Sequence, residues 1–151
     1  MQCPVCQSDT KVTDSRAAGD GEGIRRRREC LKCTFRFSTV EEMEILNLMV
    51  LKRDGSREPY VRQKVEGGIR RALEKRPSTD EDVRRVVSRV ERDIQVKEKG
   101  DEIPSEQIGT IVMRHLKRLD PVAYIRFASV YKSFQDVQSF QQELKNVRPP
   151  K

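Results

Sequence analysis

The chain has 151 residues, of which 36% are charged and 5% aromatic, so one ordinary domain or two small ones with a modest aliphatic core are expected. No apolar run approaches the roughly 18 residues that a membrane-spanning helix needs, which favours a cytoplasmic protein without a membrane partner. The net charge of +7 is compatible with a polyanionic ligand but does not prove one, because residues 1–44 carry eight basic and eight acidic side chains and the excess lies in 45–151.

Two Cys-x-x-Cys motifs, at residues 3–6 and 30–33, contain all four cysteines of the chain. Each motif can turn two thiolates toward one point, and two such motifs supply the four sulfur ligands of a closed tetrahedral zinc site. We therefore predict one structural zinc ion, because a small strand-rich module without a core needs a metal to fold. The ligands would be Cys3, Cys6, Cys30 and Cys33.

Other cysteine chemistries fit this pattern less well. Two disulfides would require an oxidising compartment, and the chain begins without an apolar signal segment. A redox Cys-x-x-Cys is expected once, near a βαβ pattern. An iron–sulfur cluster also takes four thiolates, and the spacing alone leaves that alternative open.

Short strands are predicted between and after the two cysteine motifs. Residues 11–16 and 24–29 flank a glycine-rich stretch, 17–23, that has the composition of a turn. Residues 35–40 alternate apolar and polar side chains, as a half-exposed strand does. This order of elements predicts a zinc ribbon, a small β module.

Six arginines of this module are candidate nucleic-acid contacts. Four are consecutive, and alternate residues of a strand point to opposite faces, so two would share a face with arginines of neighbouring strands. The competing interpretation is an edge strand that charge protects from aggregation, but four arginines exceed that need. Arginine also suits bidentate contact with phosphate or guanine. The candidates are Arg16, Arg25, Arg26, Arg27, Arg28 and Arg36.

The second part of the chain is predicted to open with a β-hairpin. An acidic linker, 41–44, leads into the apolar run 45–51, which is followed by Lys52-Arg53-Asp54-Gly55. Asp-Gly is a strong hairpin signal because glycine accepts positive φ without steric cost. The return strand would cover 57–61, where Pro59 suits a strand end.

Helices are predicted for the rest of the chain. A capping box at 78–81 and the pair Asp120-Pro121 mark two helix starts. Apolar residues recur at helical spacing in the segments 65–73, 83–94, 108–119 and 137–147. The predicted fold class is therefore α+β, a small β ribbon followed by an α-rich domain made of a hairpin and a helical bundle.

The aromatic stripe Tyr124, Phe127, Tyr131 and Phe134 lies in the helical region that begins at Asp120-Pro121. Such stripes usually pack in a core, and we predict this for Phe127. The hydroxyls of Tyr124 and Tyr131 favour the rim of a pocket. His115 is predicted to be structural or exposed, because the cysteines suffice for the metal.

The sequence shows no catalytic constellation. It contains no Walker-type glycine-rich loop and no Gly-x-Gly-x-x-Gly, and one histidine without a spare cysteine offers little for a nucleophile–base pair. We predict that the protein is not an enzyme. The alternatives are a structural zinc clip, a protein-docking module and, least favoured, a nucleotide-hydrolysing enzyme.

Three segments resemble the NrdR-type bacterial transcriptional repressors. Residues 3–39, with both cysteine motifs, Thr13-Asp14-Ser15-Arg16 and the arginine run, resemble the zinc-ribbon half of that family. Residues 50–60, Val-x-Lys-Arg-Asp-Gly-x-x-Glu-Pro-Tyr, are similar to the start of an ATP-cone, a nucleotide-sensing domain also found in ribonucleotide reductases. Residues 122–131 resemble the family's last sequence block.

The resemblance implies a repressor of ribonucleotide reductase operons, nucleoid-associated when bound to DNA. Its ribbon would bind paired boxes in double-stranded promoter DNA. ATP and dATP, with magnesium, would be allosteric ligands of the cone that change a homo-oligomeric assembly. Carried over residue by residue, the nucleotide-site positions are Val50, Lys52, Arg53, Glu58, Lys64, Tyr124 and Tyr131. The predicted domains are the ribbon with its linker, 1–44, the ATP-cone, 45–138, and a C-terminal helix and tail, 139–151.

Overall fold

The structure, a computed structural model, describes residues 1–18, 23–43, 47–97 and 100–147. The chain divides into two compact units, Met1–Glu44 and Ile45–Lys151. Most of the predicted glycine-rich turn (19–22), the junction of linker and hairpin (44–46) and the tail (148–151) lie outside the described residues. Among the described helices, none combines the length and apolar character needed to cross a membrane.

The first unit is a three-stranded antiparallel sheet. Strands β1 (Thr10–Ala18), β2 (Gly23–Cys30) and β3 (Arg36–Glu42) lie side by side in that order. This confirms the predicted ribbon strands, but β2 is the central strand, so the interpretation of its arginines as edge protection is wrong. Only Cys3 and Cys30 are buried among the described residues of this unit, which therefore has no hydrophobic core of its own.

The second unit begins with the predicted hairpin. Strands β4 (Met49–Leu51) and β5 (Arg57–Pro59) pair antiparallel, with Val50 opposite Glu58. Gly55 has a φ of 84° at the turn, which glycine alone adopts without strain. A third strand, β6 (Glu102–Pro104), pairs parallel to β4. The sequence pattern does not predict β6, because three residues are too few to show alternation.

The described part of this unit contains five helices, α1 (Arg62–Ala72), α2 (Asp80–Lys97), α3 (Ser105–Leu119), α4 (Pro121–Tyr131) and α5 (Val137–Lys145). A capping box lies at the start of α2, one residue later than the predicted 78–81: the Asp82 N–H donates to the Thr79 hydroxyl at 3.1 Å, and the Thr79 N–H donates to the Asp82 carboxylate at 2.9 Å. Asp120 caps α4 by accepting from two backbone N–H groups. The predicted α+β class is confirmed.

The core of the second unit is aliphatic, and several of its side chains are completely buried. These include Ile69 of α1, Val87 and Val90 of α2, Ile103 of β6, and Leu116 of α3. Since β6 contributes Ile103 to the core and pairs with β4, the small sheet is tied to the helices through that strand.

Besides the helix cap Asp120, two carboxylates are buried beside this core. Glu91 of α2 accepts hydrogen bonds from the Tyr60 hydroxyl at 3.2 Å and from the Arg62 guanidinium at 2.5 Å. Glu143 of α5 accepts from the Tyr124 hydroxyl and from Lys132 at 2.7 Å. Burying a charge is unfavourable unless it is paired, so each carboxylate with its partners cross-links two segments of the unit. Glu91 joins α2 to the residues that follow β5, and Glu143 joins α5 to α4.

Candidate metal centre, DNA face and nucleotide pocket

The four cysteine sulfur atoms converge in the ribbon. All lie within 4.8 Å of one another, and three of the pairs are 3.4 to 3.6 Å apart. A tetrahedral zinc ion with Zn–S bonds of about 2.3 Å places its sulfur ligands about 3.8 Å apart, whereas a disulfide requires about 2.05 Å. The spacing therefore fits four ligands of one metal ion and excludes two disulfides.

The two cysteine motifs share one backbone shape, which explains why their sulfurs meet. The residue after each motif has positive φ, 57° at Gln7 and 58° at Thr34. The N–H of the first cysteine of each motif then donates to a carbonyl just beyond the turn, at 2.9 Å in both. A further backbone N–H lies 3.4 Å from the sulfur of Cys3 and, equivalently, of Cys30. Such donors stabilise thiolates, the form that binds metal.

The pKa values of two of the thiols, those of Cys6 and Cys33, shift in opposite directions. Hydrogen bonds from Ser8, the backbone donor first, lower the pKa of the Cys6 thiol to about 6. The backbone N–H of Phe35 also lowers the pKa of Cys33, but desolvation and the neighbouring thiols outweigh it and raise that pKa to about 12. Four adjacent thiols cannot all ionise without a cation among them, and a divalent metal supplies that charge.

The strand register divides the six candidate arginines between two faces of the ribbon. Arg16 lies opposite Arg25 in the β1–β2 pairing, and residues directly opposite each other project to the same face. Arg27, two residues along β2, shares that face. So does Arg36, which lies opposite Glu29. We call Arg16, Arg25, Arg27 and Arg36 the arginine face.

Two members of the arginine face are the most available for a ligand. Arg36 pairs with Glu29 at 2.8 Å, and Arg16 pairs with Asp14 at 2.9 Å. Arg25 and Arg27 are exposed and have no ion pair within the described residues. Two guanidinium groups on alternate positions of a strand are spaced by about 7 Å. That distance is close to the phosphate spacing along a nucleic-acid strand.

The remaining two arginines lie on the opposite face and are engaged there. Arg26 is paired with Glu41, with 2.8 Å between the two side chains. Arg28 donates from Nε to the Thr39 hydroxyl at 3.4 Å. Both are less exposed than Arg25 and Arg27.

In the second unit a cavity of about 270 Å³ lies between the hairpin and helices α1, α3 and α4. Five of the seven predicted nucleotide-site residues line it, namely Val50, Lys52, Glu58, Lys64 and Tyr131. The hairpin register places the first three there, since Val50 and Glu58 are opposite each other and Lys52 follows β4. Lys64 comes from the first turn of α1, and Tyr131 is the last residue of α4.

The carboxylate of Glu58 forms ion pairs with both lysines of this cavity. Glu58 accepts from Lys52 through one oxygen and from Lys64 through the other, both at 2.9 Å. The hydrogen bond from Lys64, followed by that from Lys52, lowers the pKa of Glu58, which is therefore ionised at neutral pH. The three groups together carry one net positive charge, and each lysine has N–H donors left for an anionic ligand.

The other two predicted site residues do not line the cavity. Arg53 lies beside the cavity, in contact with Tyr131. Its Nη2 donates to the Tyr131 carbonyl at 3.1 Å, and its guanidinium carbon is 5.4 Å from the centroid of the Tyr131 ring. Tyr124 is buried, with its hydroxyl bonded to Glu143, and burial followed by that bond raises its pKa to about 12. Seven helical residues separate Tyr124 from Tyr131, a rise of about 10 Å along α4, which places the two hydroxyls in different surroundings.

Several cavity residues are not among the predicted nucleotide-site residues. They include Tyr60, Gly68, Ser105, Gly109 and Phe127. Phe127 packs against the core, as predicted, and also lines the cavity, where its ring stacks on Tyr131 with centroids 6.0 Å apart. Gly68 and Gly109 lie inside helices, where no turn requires a glycine. The helical periodicity of the sequence therefore assigns them no role in the site.

Comparison with known proteins connects both sites to one family. The model of the NrdR-like transcriptional repressor N-terminal domain matches residues 1–41, and the model of the ATP cone domain matches residues 48–137. A protein called "Transcriptional repressor NrdR" from Listeria monocytogenes serotype 4a is 52% identical over 149 residues, covering 97% of this chain and 96% of that protein.

Other relatives with the same name agree over similar lengths. The protein from Listeria innocua serovar 6a is 51% identical over 149 residues, covering 97% of this chain and 96% of its own. The protein from Psychrobacter sp. strain PRwf-1 is 47% identical over 151 residues, covering 99% and 97%. A zinc ribbon with this four-cysteine cluster indicates zinc as the metal, and the ATP-cone indicates nucleotide binding. The chain belongs to the NrdR family of transcriptional repressors, non-enzymatic regulators that join a zinc ribbon to an ATP-cone.

Proposed function

We propose that this repressor binds paired promoter boxes of ribonucleotide reductase operons, and that ATP and dATP in the cone set its oligomeric state and hence its DNA binding. The target operons and the two nucleotides are those that the family resemblance implies. The observation that carries the proposal is the cavity in which Lys52 and Lys64 share Glu58 beside the ring of Tyr131. It combines cations for a triphosphate, a carboxylate acceptor for ribose or base, and an aromatic surface.

Nucleotide entry requires the ion pairs of Glu58 to rearrange. The cavity, at about 270 Å³, is smaller than the ~300–1,000 Å³ typical of small-molecule sites. A triphosphate with bound magnesium would take over Lys52 and Lys64 as phosphate partners. Glu58 would then be released to accept hydrogen bonds from the nucleoside. The hairpin that carries Lys52 and Glu58 is therefore the element whose position changes with nucleotide.

DNA binding would be controlled by whether two zinc ribbons are held together in one homo-oligomer. One ribbon presents few phosphate contacts, so two ribbons held together in a homo-oligomer bind paired boxes far more tightly through effective concentration. ATP and dATP act differently only if their affinities for the competing assemblies differ. The protein would work in the cytoplasm, at the nucleoid, with zinc held by Cys3, Cys6, Cys30 and Cys33.

The proposal is tested by gel shifts on a ribonucleotide reductase promoter, with no nucleotide, with ATP and with dATP. Size-exclusion chromatography is run in the same buffers. We expect the two nucleotides to give different elution profiles and different promoter affinities. Identical profiles and identical shifts with both nucleotides would rule out the switch.

Lys52→Ala is expected to weaken nucleotide binding about 10- to 100-fold, because a charge-assisted hydrogen bond contributes about 1.5–3 kcal/mol. Titration calorimetry with MgATP and with MgdATP measures the loss. Lys97→Ala, an exposed lysine at the end of α2, is the matched control and should bind as the wild type does. Promoter binding without nucleotide should be unchanged in both variants. Equal losses of nucleotide affinity in Lys52→Ala and Lys97→Ala would contradict the assignment of Lys52 to the nucleotide site.

Arg27→Ala is expected to reduce promoter affinity and to lower the slope of log affinity against log salt by about 1, as loss of one phosphate contact does. Arg26→Ala is the matched control, since the adjacent arginine lies on the opposite face and pairs with Glu41. Removing an exposed pair costs only ~0–1 kcal/mol, so its salt slope should stay at the wild-type value. Fluorescence anisotropy with promoter DNA at several salt concentrations measures the slope for each variant. A larger slope change for Arg26→Ala would place DNA on the other face.

A further inference from the structure

Two helical glycines of the second unit lie against the aromatic rings of α4. An added Cβ at Gly68 of α1 would lie 3.3 Å from Cε2 of Phe127. An added Cβ at Gly109 of α3 would overlap the ring of Tyr131, with Cδ2 at 2.6 Å and two further ring carbons closer still. Glycine is unfavourable inside a helix, and close packing is one reason to keep it there. At Gly109 that reason is the ring of Tyr131.

The ring of Tyr131 in turn fixes groups at the cavity. Its hydroxyl donates to the Glu106 carbonyl at 2.5 Å, and its ring stacks on Phe127 with an interplanar angle of 23°. The guanidinium of Arg53 lies over the ring, and Arg53 also pairs with the Glu106 carboxylate at 3.2 Å. A ring displaced from α3 would lose the hydroxyl contact, and Arg53 would lose the surface over which it lies.

We propose that Gly109 is a positioning residue of the nucleotide site. Its missing side chain lets the ring of Tyr131 approach α3 closely, and Tyr131 then holds Arg53 beside the cavity that Lys52 lines, where both cations meet the phosphates of an adenine nucleotide. This inference rests on the proposed function, since it concerns the same cavity. Because the proposed role of Gly109 is to make room for Tyr131, the two positions should be energetically coupled.

Three glycine-to-alanine variants of the full-length protein form a graded series for testing this role. Gly67, next to Gly68 in α1, has nothing within 4 Å of an added Cβ and serves as the matched control. We expect Gly67→Ala to bind MgATP and MgdATP within about twofold of wild type, and Gly109→Ala to bind at least about tenfold more weakly. Gly68→Ala should fall between them. Calorimetry gives the affinities, and the zinc content of each variant should equal that of the wild type.

The background variant Tyr131→Leu isolates the mechanism. The three atoms nearest an added Cβ all belong to the aromatic ring, so without that ring Gly109→Ala should change nucleotide affinity by less than about twofold in the Tyr131→Leu background. The comparison within the Tyr131→Leu background also tests the inference if Gly109→Ala alone fails to fold. A tenfold loss that persists in the Leu background, or wild-type affinity in Gly109→Ala, would overturn the inference alone. Absence of nucleotide binding by the wild type would overturn the proposed function and this inference together.

Discussion

Cys30→Ser is expected to abolish tight zinc binding and the fold of the ribbon together, and with them promoter binding. The physical reason is the burial pattern, since Cys3 and Cys30 are the only buried residues in the described part of that unit. Without metal its sheet has almost no apolar surface to bury. In zinc-finger peptides the metal contributes an apparent ~10–16 kcal/mol to folding, far more than a small sheet supplies by itself. Zinc content after chelator treatment and gel shifts measure the two losses.

The second unit should survive that substitution, because its core does not involve the cysteines. Cys30→Ser should therefore retain wild-type affinity for MgATP, while trypsin cleaves its arginine-rich strand rapidly. Ser15→Ala is the matched control, because Ser15 lies exposed on β1 of the same unit, and this variant should keep its zinc. A Cys30→Ser protein that holds zinc against chelator and shifts promoter DNA normally would show that Cys30 is not needed as a zinc ligand.

Local signals explain why much of this architecture can be predicted from sequence. The cysteine spacing determines the metal centre, Asp54-Gly55 determines the hairpin, and the Thr79–Asp82 box determines where α2 begins. Each of these depends on residues close together in the chain, whose geometry is nearly independent of the rest of the fold. The hairpin then brings Val50, Lys52 and Glu58 together without any long-range information.

What the sequence does not predict depends on partners far apart in the chain. Strand β6 is recognisable only by its pairing with β4, more than fifty residues earlier. Tyr124 looks equivalent to Tyr131 on a helical wheel, but its hydroxyl meets Glu143 of α5. Gly109 has a role only because Tyr131 lies against it. Glu91 sits in a helix rich in exposed charges and gives no sign of being 1% exposed.

Glu91→Ala is accordingly expected to cause the largest loss of stability in the second unit, about 3–5 kcal/mol, because removing one partner of a buried ion pair leaves the other charge poorly compensated. The Arg62 side chain is only 25% exposed, and the Tyr60 hydroxyl loses its acceptor as well. Denaturant unfolding followed by circular dichroism measures the change. Glu81→Ala, at the exposed start of the same helix, should shift stability by no more than about 0.5 kcal/mol.

A double variant distinguishes a buried-charge effect from loss of packing. If the cost arises from breaking the ion pair with Arg62, then Glu91→Leu with Arg62→Leu should recover most of the stability lost in Glu91→Leu alone, since apolar replacements of buried pairs are often neutral. If the cost arises instead from loss of packing, the double variant should be at least as unstable as Glu91→Leu alone. Tyr60 lines the nucleotide cavity and bonds Glu91, so the recovered protein should still bind MgATP more weakly than wild type. Full recovery of both properties would show that Glu91 has no influence on the cavity through Tyr60.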